Sequence, residues 1–222
     1  MLQPHIQLDD TLNIKYAILP GDPGRLDRIA LQLQDVQELA YNREFRSLRG
    51  LYKGVPVLAI STGIGGSSAA IAIGDLIFAC GAIRDDGASK AYVDARYPAV
   101  PDTGLLVNCV EAARKEGWPY HLGVVHSHES FYIDTNDAES AHWSALGALG
   151  ADMETAALFT VGRIRGVRTA SILNNVVLYG QDTADAVADY AGGEDMSAVG
   201  ERREIAVALE ALYRTAKEDE KQ

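Results

Sequence analysis

Five apolar runs punctuate the chain, and amphipathic stretches fill the spaces between them. The runs are YAILPG (16–21), VPVLAIST (55–62), DLIFACGAI (75–83), HLGVVHS (121–127) and RTASILNNVVL (168–178). They are continuous rather than alternating, which is how strands covered on both faces read. The stretches 24–34, 103–116, 137–148, 152–166 and 198–217 carry helical spacing, and the last leads into the solvated tail KEDEKQ. Strand–helix alternation predicts an α/β fold: one domain over residues 1–222, with a central mixed, mostly parallel β-sheet flanked by helices. No repeat, low-complexity linker or domain boundary interrupts it. Two stretches read as long loops, 84–102, rich in Asp, Gly and Pro, and 180–197, rich in Gly, Asp and Ala. Long loops at strand ends are where binding residues concentrate.

Composition narrows the function classes. The chain has 222 residues, 47% of them hydrophobic, enough for a real core. Its formal charge of −11 leaves no basic footprint for nucleic acid. A local cluster of arginines can still bind a small anion against that field. Cys80 and Cys109 lack CxxC spacing and lie in apolar runs, so both are expected as buried free thiols of a reducing compartment. MLQPHIQLDD has neither the cationic nor the apolar part of a secretory leader, and no run is long enough to span a membrane, so a cytoplasmic, membrane-free protein is expected.

Candidate chemistry sits at two glycine turns. In GDPGR, Gly21 and Gly24 permit close ligand approach, Pro23 suits a first helical turn, and Arg25 adds a planar cationic fork. A helix start of this kind can hold phosphate; the alternative is a strand–helix turn whose arginine points to solvent. The second turn, Thr62 to Ser68, follows VPVLAIS and leads into SAAIAI. Together they would place two sets of backbone donors at one sheet edge, where open α/β folds bind ligands.

The ordered series GDPGR, REFRSLRG, STGIGGSSAAIAI, GAIRDDGASKAY, YPAVPD, SFY and GADMETAAL resembles the nucleoside phosphorylase family that contains uridine phosphorylases and hexameric purine nucleoside phosphorylases, and it is closest to the uridine side. The resemblance runs nearly end to end. It implies a homo-oligomer with a dimer as the smallest active unit, commonly a hexamer. It implies that Gly21 and Arg25 bind phosphate and that Arg49 reaches the same phosphate from the neighbouring subunit. His5 would reach the neighbour's ribose, Met153 would pack under the sugar, Glu154 would accept from the ribose hydroxyls, and Phe131 would pack on the nucleoside. Arg25 and Glu154 would be the catalytic pair. Such a reaction needs inorganic phosphate as co-substrate and no metal or redox cofactor. Its chemistry suits these residue types: arginines hold an anionic nucleophile, a carboxylate supplies acceptors for vicinal hydroxyls, and Met and Phe exclude competing water.

Taken singly, each of these residues has a plainer reading. His5 and Arg49 read as surface residues, Phe131 and Met153 as core, and Asp152 with Glu154 as a helix N-terminal charge pair. His126 and His128 have HxH spacing without a convincing third ligand, so no metal site is expected. Lys90 reads as a loop residue.

Two departures from the family pattern stand out. SSAAIAI runs straight into Gly74-Asp75-Leu76-Ile77. A helix end, a central strand and a loop are missing between 73 and 74, about 25 residues by typical element lengths. The family's Arg-[IV]-Gly-[ST]-x-Gly motif, with a third phosphate arginine, goes with them. Either a segment of the natural chain is omitted here, which the intact flanks favour, or the deletion is real and the protein is a damaged or repurposed relative. At the base site, IDTND follows Phe131-Tyr132 where uridine phosphorylases carry a Gln and an Arg, and Asn174-Asn175 stands where the purine enzymes carry an acid. Asn174 or Asn175 could serve either base or act as a strand-end structural amide. The leading expectation is reversible phosphorolysis of a nucleoside, uridine-type first and purine second. A nucleosidase of the same superfamily and a non-catalytic nucleoside-binding relative are the alternatives.

Overall fold

A computed structural model describes residues 2–62, 74–130, 133–175 and 196–221. The chain divides into two compact units, Met1–Gly65 with Ala208–Gln222, and Gly66–Val207. The second glycine turn beyond Thr62, Phe131, the junction at 73–74 and nearly all of the expected loop 180–197 lie outside the described residues.

In the first unit β1 (Tyr16–Ile18) leads to α1 (Arg25–Ala30), and β2 (Gln34–Asn42), β3 (Phe45–Tyr52) and β4 (Val55–Ile60) follow as a meander. The strand order is β1-β4-β3-β2, with β1 parallel to β4 and the other pairs antiparallel. The β3–β4 link is a two-residue turn in which Lys53 and Gly54 both take positive φ, +49° and +82°, matching the twist of the flanking strands. Leu26 and Ile29 of α1 are fully buried, as are Leu48 of β3 and Val57 and Ala59 of β4. The expected helix 24–34 stops at Ala30, and 34–52 is strand. The polar residues of QDVQELAYN hid an edge strand, whose charged, mostly exposed side chains suit an unpaired sheet margin.

The second unit holds β5 (Leu76–Asp85), α2 (Gly87–Tyr92), α3 (Thr103–Glu116), β6 (Tyr120–His128), α4 (Asn136–Ala145), β7 (Gly150–Asp152), α5 (Thr155–Ile164) and β8 (Ile172–Asn174). Its sheet runs β7-β6-β5-β8, with β5, β6 and β7 parallel and β8 antiparallel to β5. The α/β class and mixed strand directions are those the pattern predicts, although the described strands form two four-stranded sheets where one was expected. Ile77, Ala79, Val125, Ala156 and Phe159 form the core between the β5–β6 pair and α5. The helix over 103–116 occurs as predicted, started by the Asp102 carboxylate, which accepts from the Leu105 N–H at 2.9 Å. A final helix, α6 (Met196–Asp219), closes the chain.

Two expectations change. The stretch 84–102 is largely ordered by Arg84. Its guanidinium donates to Ser89 Oγ (3.0 Å) and to the carbonyls of Ser89 (2.9 Å), Val93 (3.0 Å), Asp94 (2.7 Å) and Tyr97 (2.6 Å). One cation thereby satisfies the carbonyls that a turning backbone leaves over. Cys80, expected inside, is exposed, because the β5–β6 register slips between Ala79 and Gly81 and turns it outward. Cys109 is buried, and burial pushes its thiol up to about 12.

Gly200 of α6 packs so closely that a Cβ there would collide with the Asn174 side chain and come within 2.7 Å of the Gly74 Cα. Gly200→Ala is therefore expected to destabilise the protein by about 1–3 kcal/mol, read as a lowered Tm. An unchanged Tm would mean that α6 can move away from Gly74 without cost.

Candidate active site

The three parallel strands of the second unit end at one edge. Asp85 stands beside His128, and Ser127 beside Asp152, in the strand register. In α/β sheets this carboxyl edge is where ligands bind. Here it carries the turn Asp152-Met153-Glu154-Thr155, which joins β7 to α5.

Asp152 is only 2% exposed, and its carboxylate is spent on that turn. Oδ1 accepts from Ser127 Oγ, and Oδ2 accepts from the Thr155 N–H at 2.8 Å. Ser127 Oγ in turn accepts from the Ala156 N–H at 2.9 Å. Two of the helix's unpaired N–H groups are thus capped by side chains, and the negative charge faces the positive end of the α5 dipole. Thr155 Oγ1 shares a hydrogen bond with Ser171 Oγ at 2.6 Å, tying the turn to the segment before β8. Asp152 therefore fits the helix-terminus reading, whereas Glu154 stands at the N-cap position of α5 without a side-chain capping bond.

Glu154 is half-buried, and its carboxylate turns back to accept from the Met153 N–H at 3.2 Å. Burial first, and the negative Asp152 second, push its carboxyl up to about 7; the Met153 N–H opposes them. Met153, also half-buried, supplies an apolar flank beside it. An acid that loses its proton near neutrality, in a water-poor turn, is suited to accept from ligand hydroxyls.

The phosphate candidates lie in the first unit. The Asp22 carboxylate accepts from the Gly24 N–H at 2.9 Å and folds GDPGR into the start of α1, with Arg25 as its first residue. Pro20 O, one residue before Gly21, accepts from the Thr62 N–H at 3.0 Å. The first glycine turn and the residue that opens the second are thereby tied together at the ends of β1 and β4. Arg25 and Gly21 are half-buried there.

Arg49 is exposed on β3, and its Nε donates to the neutral Gln37 Oε1 at 3.0 Å. His5 is exposed as well, and its carbonyl accepts from Asn42 Nδ2 at 2.7 Å at the end of β2. The neighbouring Arg46, by contrast, is neutralised by Asp27 (2.8 Å) and Glu38 (2.9 Å), which hold its guanidinium protonated, and the hydrogen bond from Arg46 in turn pushes the Asp27 carboxyl down. Ser61, fully buried, donates to Glu44 O at 2.6 Å and accepts from the Arg46 N–H at 2.8 Å. Neither Ser61 nor Arg46 stood out in the sequence. REFR was legible as a motif, but its role in bracing the end of β4 needs a contact fifteen residues away.

On the base side, Phe131 lies outside the described residues. Asn174 ends β8, 8% exposed and against Gly200, and Asn175 is fully buried. The Asn175 backbone donates to Asp75 O (3.1 Å) and accepts from the Gly74 N–H (2.9 Å). His126 and His128 are both buried. The His126 ring sits 5.4 Å from His128 and 5.3 Å from Trp143, with Nε2 3.2 Å from Asp85 Oδ2. Burial pushes its pKa down, against the pull of Asp85. Among the described residues, no group of three or more His, Cys, Asp or Glu side chains is placed to hold a metal ion. Lys90 lies in α2 and pairs with Asp85 at 3.5 Å.

The phosphorylase superfamily model matches the chain in two segments, residues 15–73 and 70–210. A guanosine phosphorylase of Halorubrum lacusprofundi is 34% identical over 213 residues, covering 83% of this chain and 88% of that protein. A uridine phosphorylase of Thermococcus kodakarensis is 33% identical over 214 residues, covering 77% of this chain and 76% of its own length. The crystal structure of uridine phosphorylase from Vibrio fischeri ES114 complexed with 6-hydroxy-1-naphthoic acid superposes with a TM-score of 0.86 at 41% identity, over 96% of both chains.

The raised Glu154 makes stability depend on pH. Between the ordinary carboxyl value of 4.5 and about 7 the folded state holds a proton that the unfolded chain releases, so stability falls as pH rises through that window and the penalty persists above it. Glu154→Gln should therefore match the parent near pH 5 and exceed it near pH 8, by about 2 kcal/mol after allowance for solvent screening. Denaturant melts at the two pH values check this; an equal difference at both would mean that Glu154 titrates as an ordinary carboxylate.

Proposed function

The chain belongs to the phosphorylase superfamily, and we propose that it is a nucleoside phosphorylase, a pentosyltransferase that splits a uridine-type nucleoside reversibly with phosphate. Purine nucleosides are the second substrate class. The observation that carries this reading is the likeness to a uridine phosphorylase structure at 41% identity over nearly the whole of both chains.

In the proposed reaction Gly21 and Arg25 hold hydrogen phosphate under C1′, and Arg49 of a neighbouring subunit completes the clamp. A phosphate oxygen bonds to C1′ as the C1′–N bond breaks. The glycosidic electron pair leaves with the base, which ends with the proton that hydrogen phosphate brought. Positive charge develops on the sugar, and ionised Glu154 opposes it while accepting from the ribose hydroxyls. Met153 packs under the sugar, His5 reaches the ribose across the subunit boundary, and Phe131 with Asn174 or Asn175 meets the base. The exposure of Arg49 and His5 supports a shared site, with a dimer as the smallest active unit and a hexamer as the larger assembly. Inorganic phosphate is the co-substrate, and this chemistry calls for no metal or redox cofactor. No helix among the described residues is long and apolar enough to cross a membrane, and the cysteines are free thiols, which supports a cytoplasmic place.

A nucleosidase that uses water has no use for the arginines. A non-catalytic or degenerate nucleoside-binding relative has one observation in its favour: the family match comes in two parts that overlap at residues 70–73, beside the 73–74 junction where the sequence departs from the family pattern.

Base release from uridine, thymidine, inosine and adenosine, with and without phosphate, separates these readings. Phosphate-dependent release, strongest from uridine, is expected. Release that ignores phosphate would make the protein a nucleosidase, and no release from any substrate would make it a binding relative. Arg49→Ala should lower kcat/KM for phosphate by about 10–100-fold with Tm unchanged. Mixing the impaired Arg49→Ala and Glu154→Gln subunits should then raise activity above that of either variant alone, toward about a quarter of the parent sites, because each mixed dimer keeps one intact site. No recovery on mixing would put Arg49 and Glu154 in the same subunit's site.

A further inference from the structure

We propose that Ser127 is a positioning residue for Glu154, whose hydroxyl joins β6 to the start of α5 and so holds the Met153–Glu154 turn in place. This rests on the reading of Glu154 as the sugar-binding carboxylate. Ser127 is fully buried and makes no direct claim on a substrate. What it does make is a two-way bond: Oγ donates to Asp152 Oδ1 and accepts from the Ala156 N–H at 2.9 Å. The residues it grips, 152 and 156, bracket Met153 and Glu154 on both sides. The strand register already sets Ser127 opposite Asp152, so the hydroxyl fixes the turn to the centre of the sheet rather than to another loop.

The geometry leaves few substitutes for that hydroxyl. Asp152 Oδ2 is engaged by the Thr155 N–H at 2.8 Å, and Thr155 Oγ1 by Ser171 at 2.6 Å. Without Ser127 Oγ, one carboxylate oxygen and one helical N–H lose their partner together, in a buried place where either loss is costly. The turn regains partners by opening to water. Opening would solvate Glu154, whose displaced titration comes first from burial and second from Asp152, with the Met153 N–H opposing. Position and protonation of Glu154 therefore change in step, which a side chain with a purely packing role would not bring about.

The test reads Glu154 directly. In the full-length protein labelled with 13C at glutamate carboxyls, the resonance missing from Glu154→Gln identifies Glu154, and its midpoint is followed with pH. Ser127→Ala should lower that midpoint by on the order of one pH unit toward the ordinary carboxyl range, and raise the uridine KM about tenfold. If alanine does not fold, the isosteric pair Ser127→Thr and Ser127→Val decides: the hydroxyl of Thr should keep the parent midpoint, and Val should lower it. A parent midpoint in folded Ser127→Ala, or the same midpoint in Thr and Val, overturns the assignment. A Glu154→Gln protein with the parent KM for uridine would instead overturn the reading of the site, and the titration would still decide what Ser127 does.

Discussion

A buried carboxylate at the end of a parallel strand organises the second unit. Asp152 sits almost without solvent, and its charge is tolerable because Ser127, the Thr155 N–H and the dipole of α5 all face it. Hydrogen bonds to a charged group are worth about 1.5–3 kcal/mol each, so this cluster rivals a large core side chain in weight. It also determines where α5 starts, and α5 brings Ala156 and Phe159 into the core against β5 and β6. Packing and site thus share one anchor, and the turn between them inherits its rigidity.

The same carboxylate adds to the electrostatics next door. Met153 and Glu154 are carried past it on a short turn. Burial first, and the Asp152 charge second, hold a proton on Glu154 well above the ordinary carboxyl range until rising pH removes it. A hydroxyl donating to such a carboxylate favours its ionised form. The cost of holding a displaced acid falls on the free protein, and strongly displaced groups of this kind cluster where chemistry is done.

The first unit solves the opposite problem, keeping arginines selective in a chain of net charge −11. Arg46 is consumed by Asp27 and Glu38 and braces the end of β4 through Ser61. Arg49, three residues on, donates through its Nε to the neutral Gln37 amide and stays at the surface. Two arginines of one short motif therefore stand in different surroundings, one ion-paired and one beside a neutral amide.

Much of this was legible in the residues alone. The apolar runs located β1, β4, β5 and β6, the amphipathic stretch 103–116 located its helix, and the ordered motifs pointed to the nucleoside phosphorylases. These are local signals or a chain-long series, and both survive without coordinates. The meander of β2 and β3 was not legible, because an edge strand with polar side chains is stabilised by cross-strand bonds rather than by its own apolar pattern. Nor was the ordering of 84–102, which depends on a single guanidinium reaching five acceptors. The outward turn of Cys80 needs a slipped register, and the anchoring of the turn before α5 needs Ser127 and Asp152 to meet across a strand pair. Each of these turns on backbone register or on groups that the local apolar pattern does not pair arriving within hydrogen-bond reach, and only the tertiary structure decides that.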